Sequence, residues 1–134
     1  MTHDVLIIGA GPVGLCLAKS LADQSLKVAL VERQPESALA DPGFDGREIA
    51  LTHASMRLMR QLDLWRHIPE DAIAPLRNAQ VMNGASPHHM RVDGALVGQE
   101  QLGCLIPNHL IRRAAWLAVQ DTPGITLHAG AQVT

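Results

Sequence analysis

The sequence predicts an α/β fold whose core is a parallel sheet. Two short runs rich in β-branched residues, Asp4–Ile8 and Lys27–Val31, read as buried parallel strands. Between them lies a helical stretch opened by Pro12, a residue suited to a first helical turn because no internal bond needs its missing N–H. Together they make a strand–helix–strand unit about thirty residues long, as a crossover between parallel strands requires.

Each further element follows from the local pattern. The helix after Pro12 is expected to run to about Gln24. From Gln34 to Gly46 the composition turns to Pro, Glu, Ser, Asp and Gly, and Pro35, Pro42, Gly43 and Gly46 predict a loop. A helix is expected near Ser55–Leu62, with Leu58, Met59, Leu62 and Trp65 as its apolar stripe and Arg57, Arg60 and Gln61 on its wet face. Ala79–Met82, His89–Val92 and Gly103–Ile106 are strand-like pieces broken by Gly84, Pro87 and Gly94, which suggests an antiparallel excursion. Pro107 and Asn108 then open an apolar helix to about Val119, with Asn108 as the expected N-cap. Asp121–Gly124 reads as a turn and Ile125–His128 as a closing strand.

Composition excludes several functions. The chain has 134 residues, is 47% hydrophobic and 18% charged, and carries a formal net charge of −2, which describes a globular domain. Nucleic-acid binding needs a clustered basic footprint, and acids and bases are interspersed here. Phe44, Trp65 and Trp116 are the whole aromatic inventory, too few for base-stacking platforms. Cys16 and Cys104 match no metal or redox spacing and read as buried, reduced thiols. The seven histidines show no ligand spacing beside a carboxylate, so no metal is expected. No secretory signal is read at the N-terminus, where Asp4, Pro12 and three glycines interrupt the apolar run. No stretch has the length of a transmembrane helix. The expectation is a soluble, intracellular protein.

The chemistry is concentrated in Gly9-Ala-Gly11-Pro12-Val13-Gly14, directly after a strand and directly before a helix. Gly9 permits the tight turn, Gly11 lets backbone approach a pyrophosphate, and Gly14 lets the helix pack closely on the strand. The unpaired N–H groups and the positive end of the helix then face the phosphates. Glu32 closes the second strand, 18 residues past Gly14, where a carboxylate accepts from a ribose diol and repels a 2′-phosphate. Arg33 reads either as an exposed loop residue or as a side chain lying along the adenine. Arg47 has two readings: a loop arginine paired with Asp45 or Glu48, or a planar donor for anionic oxygens of the dinucleotide. No Ser-His-Asp arrangement or nucleophile elbow is readable, and no catalytic acid or base can be named.

Several segments together resemble the FAD-dependent aromatic hydroxylases, in particular the ubiquinone-biosynthesis hydroxylases. They are Asp4–Arg33, Phe44–Leu51, Leu64-Trp-Arg-His-Ile68 and Leu102–Ala118. Phe44-Asp-Gly-Arg47 with Ile49-Ala-Leu51 is more specific than the glycine motif, which many flavoproteins share. The resemblance implies a Rossmann-like FAD-binding unit, with cofactor contacts from Gly9, Gly11, Pro12, Val13, Gly14, Glu32, Arg33, Arg47 and Asn108. Asn108-His-Leu-Ile111 matches an Asn-x-x-(Leu/Ile) segment near the flavin, although Pro107 stands where members usually carry glutamate.

The resemblance also implies a division of the chain. Residues 1–75 and 102–134 would belong to the FAD-binding domain, and 76–101 to a substrate-binding sheet. An Asp-Gly and a Gly-Asp motif found further along in the family lie beyond Thr134, so the chain is expected to be the front portion of a longer member. The implied activity is hydroxylation of an aromatic ring with O₂, FAD and NAD(P)H as reductant, the ring being a polyprenylated phenol or quinol of ubiquinone biosynthesis. The 134 residues alone are expected not to turn over. The protein is expected to be cytoplasmic, and a lipid-soluble substrate implies a peripheral contact at the inner membrane or with a biosynthetic assembly. The rivals are a nicotinamide-dependent dehydrogenase and a non-catalytic fragment with weak dinucleotide binding.

Overall fold

The computed structural model describes residues 2–134, and the side chains of all of them except 96 and 97. Three strands form a parallel sheet in the order β1 (Val5–Ile8), β2 (Val28–Glu32), β8 (Ile125–Ala129). β2 is central and apolar on both faces, so Val28, Ala29 and Leu30 are buried. α1 (Pro12–Ala22) crosses from β1 to β2, and it packs against α4 (Asn108–Gln120). One core joins the sheet to these helices through Leu15, Leu30, Leu64, Ile106 and Trp116. Leu30→Ala should therefore cost about 2–5 kcal/mol. Leu6→Ala, on the uncovered face of β1, should stay within about 0.5 kcal/mol. Urea denaturation midpoints of the two variants check both values.

A second sheet is antiparallel, in the order β3 (Glu48–Thr52), β7 (Gly103–Pro107), β4 (Ala74–Leu76). Among the described residues, β5 (Asn78–Met82) and β6 (His89–Asp93) pair only with each other. All three pieces expected as an antiparallel excursion are strands in antiparallel pairs, but they divide between two sheets. Gly103–Ile106, grouped in that expectation with the hairpin strands, instead runs beside β3, because the chain returns from the hairpin to fill the middle of that sheet. Gly103 makes this close approach feasible, since a Cβ there would collide with the Leu51 carbonyl.

Five local expectations are corrected. The segment 34–46 holds a short helix, α2 (Glu36–Ala40), which buries Leu39. α3 (His53–Gln61) begins earlier than expected because Thr52 caps it, accepting from the Ser55 N–H at 3.2 Å. Its core side is Met56 and Met59, while Leu58 is exposed and Trp65 lies past the helix end, under the Arg60 guanidinium. Asn108 is the first residue of α4, and Pro107 holds the cap position without a side-chain bond. Cys16 is only half-buried, whereas Cys104 is buried; both are free, and burial pushes both thiols up.

β1 forms one edge of the parallel sheet, and Leu6 and Ile8 on it are 60% and 66% exposed. Parallel sheets ordinarily have both faces covered. Among the described residues nothing covers this part.

Candidate cofactor site

The glycine turn is shaped by contacts that side chains would break. Gly9 has φ +99°, a conformation in which L side chains are strained. A Cβ on Gly14 would fall on the Gly9 carbonyl oxygen, so α1 can start this close to β1 only with glycine there. Gly11 differs: a Cβ there would meet nothing within 4 Å, so its bare backbone faces open space. Gly11 is also the N-cap of α1, without a side-chain bond. The first N–H of the helix to find an acceptor inside it is that of Leu15, on Gly11 O at 2.9 Å. The amides of Val13 and Gly14 precede that bond and point out of the helix end. Such a surface suits an anion, because the helix N-terminus is electropositive and no side chain intervenes.

Glu32 is held against this turn. Its Oε2 accepts from the Ala10 N–H at 2.7 Å and its Oε1 from the Gln34 N–H at 2.8 Å. The Gln34 and Ala10 amides keep the carboxyl below the ordinary glutamate range, in that order of importance. Each carboxylate oxygen has a second lone pair, so the group can still accept from hydroxyls. Ile8, Gly9, Val31, Glu32, Arg33 and residues 131–133 line a cleft of about 330 Å³ beside the turn. Arg33 is exposed at its rim. A separate apolar groove of about 480 Å³ opens where Pro12 and Val13 meet Leu51, Leu58 and Ile111.

Arg47 and Asn108 come together through a third residue. Asp45 Oδ2 accepts from Arg47 Nη2 at 2.6 Å, Arg47 Nε at 3.0 Å and Asn108 Nδ2 at 2.7 Å. The Asn108 N–H also donates to the Arg47 carbonyl at 2.8 Å. Of the two partners open to Arg47 in sequence, the ion pair is with Asp45. Asn108 is buried, and its amide serves this cluster instead of capping α4. Ile111, one turn along α4 from Asn108, lines the groove shared with Pro12 and Val13. Next to the cluster, the His109 and Phe44 rings meet in a T-shaped pair at 5.3 Å between centroids, and His109 Nδ1 is buried without a partner among the described residues. In sequence Asp45 stands out only as one possible partner of Arg47; its link to Asn108 spans 63 positions and carries no local signal. Among the described residues, no group of three His, Cys, Asp or Glu could hold a metal ion.

A parallel strand–helix–strand unit with a side-chain-free amide turn, closed by a carboxylate on the second strand, defines a dinucleotide-binding α/β protein. The chain belongs to the FAD binding domain family, which it matches over residues 2–134. It is 44% identical over 128 residues to ubiquinone hydroxylase UbiM of Neisseria meningitidis serogroup C, a match covering 92% of this chain and 28% of that protein. It is 32% identical over 134 residues to ubiquinone hydroxylase UbiL of Rhodospirillum rubrum, covering 98% of this chain and 30% of that protein. The chain therefore spans less than a third of the length of these curated relatives. PqsL of Pseudomonas aeruginosa shares its fold, with a TM-score of 0.68 at 18% identity over 96% of this chain and 33% of that one.

Proposed function

We propose that this chain forms the adenosine- and pyrophosphate-binding part of the FAD site in a monooxygenase that hydroxylates an aromatic ring. The substrate class is a polyprenylated phenol or quinol of ubiquinone biosynthesis, with NAD(P)H as reductant. The observation that carries the reading is the bare Gly11 backbone on an uncapped helix start, with the Glu32 carboxylate bound to the adjacent Ala10 amide. The names of the two relatives support the substrate class.

In this reading the amides of Gly11, Val13 and Gly14 receive the pyrophosphate. Glu32 accepts from the adenosine ribose, and Arg33 flanks the adenine in the cleft beside it. Arg47 and Asn108 reach the part of the cofactor beyond the pyrophosphate. FAD, when bound, supplies the redox chemistry, and the protein supplies position, polarity and water exclusion. Residues 76–101 belong to a substrate-binding sheet. The β5–β6 hairpin supports this, because it pairs with neither other sheet and exposes Val81, Met82 and Met90. No helix among the described residues is long and apolar enough to cross a membrane. A cytoplasmic protein that meets its lipid-soluble substrate at the inner-membrane surface fits that observation.

Flavin fluorescence tests the cofactor reading. FAD should be quenched saturably by the chain and displaced by ADP, but not by ADP carrying a 2′-phosphate, which the Glu32 carboxylate repels. Absence of saturable quenching counts against the reading. The hydroxylase is tested by replacing the matching segment of the Neisseria relative with residues 2–134. A chimera that loads FAD should add one oxygen atom to a polyprenylated phenol, and a loaded but inactive chimera counts against hydroxylation alone.

A further inference from the structure

We propose that Asp45 is a positioning residue, which joins the Arg47 guanidinium and the Asn108 carboxamide into one unit that addresses the flavin-side half of the cofactor. The proposal rests on the FAD reading above. Three side-chain bonds of 2.6–3.0 Å converge on a single oxygen, Asp45 Oδ2, and they come from two distant parts of the chain. A backbone bond from Asn108 to Arg47 at 2.8 Å closes the same ring of contacts. The side chain of Asp45 is 26% exposed, whereas that of Arg47 is 66% exposed and turned to solvent. The carboxylate faces inward to its partners, and the guanidinium is the part left available. Arg47 first and Asn108 second hold the Asp45 carboxyl far below the usual carboxylate range, which favours its ionised form.

The chemistry of the three groups explains what this accomplishes. An ionised carboxylate can only accept, so it must take the NH₂ of Asn108 and leaves the amide oxygen as the group Asn108 can offer. It occupies Nε and one Nη2 proton of Arg47, which leaves the guanidinium with three N–H donors in a fixed plane. The result is an acceptor and a planar cationic donor side by side. Hydroxyls next to anionic oxygens are the ligand chemistry that fits such a pair. Glu32 lines the cleft at Gly9, whereas Ile111, three residues along α4 from Asn108, lines a separate groove with Pro12 and Val13 at the start of α1. A dinucleotide with its ribose at Glu32 and its pyrophosphate over Gly11 therefore continues toward Arg47 and Asn108. ADP ends before it reaches them.

The test compares two ligands on the intact chain. Asp45→Asn should weaken FAD about tenfold and change ADP less than twofold, as measured by titration calorimetry, because only FAD extends to the Arg47–Asn108 unit. Asn at position 45 no longer dictates the orientation of the Asn108 amide and no longer anchors the guanidinium. The nitrogen-edited NMR spectrum gives a second readout. In Asp45→Asn, the Asn108 side-chain amide and Arg47 Nε–H resonances should move toward solvent-exposed values while the amides of β2 and α1 stay in place. Asn108→Asp sets two carboxylates against each other and should lose FAD affinity. Combining it with Asp45→Asn restores a donor–acceptor pair and should recover part of that loss. Equal losses of ADP and FAD in Asp45→Asn would overturn the positioning role in favour of a purely structural one, as would unchanged FAD affinity. Failure of the unsubstituted chain to bind either ligand would instead strike the FAD reading itself.

Discussion

Gly11→Ala should leave the fold intact and cost most of the affinity for ADP, whereas Gly14→Ala should cost both. The two positions are three residues apart in the same turn, yet their surroundings differ. A methyl on Gly11 meets nothing, and its φ of −69° is open to any residue, so the denaturation midpoint should not move. The same methyl stands where an anion would approach the amides. Losing one such charge-assisted hydrogen bond costs about 1.5–3 kcal/mol, or roughly ten- to a hundredfold in affinity. A methyl on Gly14 lands on the Gly9 carbonyl oxygen and lies 3.2 Å from its carbon, both backbone atoms that cannot rotate aside. Relief requires α1 to move off β1, and the expected loss is about 1–3 kcal/mol or more. Gly103→Ala is the companion control, since it meets the Leu51 carbonyl in the other sheet and should lower stability by a similar mechanism. If Gly11→Ala binds ADP as tightly as the parent chain, this turn is not where the anion sits.

Glu32→Gln should have the second largest effect, and its dependence on pH identifies the cause. The folded carboxyl lies below the ordinary glutamate value of 4.5, because the Gln34 and Ala10 amides stabilise its ionised form. A depressed folded pKa contributes stability that is present above the unfolded pKa and lost as pH falls through the folded one. The parent chain should therefore exceed Glu32→Gln in stability at pH 7, by about 1–2 kcal/mol for two charge-assisted bonds at a partly exposed site. The gap should close progressively below about pH 4.5. A gap that stays constant down to pH 3 would show that the loss is steric. The same substitution should weaken ADP, and it should relax the discrimination against a 2′-phosphate, since the repelling charge is gone.

Much of this architecture could be read along the chain because its determinants are local. The strand–glycine–helix–strand start declares itself within thirty residues. Hydrophobic period, breakers and the glycine spacing all describe neighbours a few positions apart, and β1, α1, β2 and β8 lie close to where the pattern puts them. The misses have a common physical origin. α2 is a single short helix whose only buried side chain is Leu39, too little to produce a periodic signal. β3 and β7 are strands by virtue of each other; Ile49 and Ile106 are partners across 57 positions, and neither run alone distinguishes that pairing from a hairpin. Asn108 looks like a cap by residue type, but it is already the first helical residue, and its NH₂ group donates to Asp45.

The sequence by itself determined that a backbone turn of three glycines opens a helix between parallel strands, and that an acid closes the second strand. Those features follow from steric freedom and side-chain charge at adjacent positions. Only the tertiary structure decided which donors meet which acceptors: Glu32 on the Ala10 amide, and Asp45 between Arg47 and Asn108. Such bonds depend on the packing of α1, β3 and α4 around one core. A carboxylate selects among partners within about 3 Å, and which groups come that close is settled when distant segments fold together.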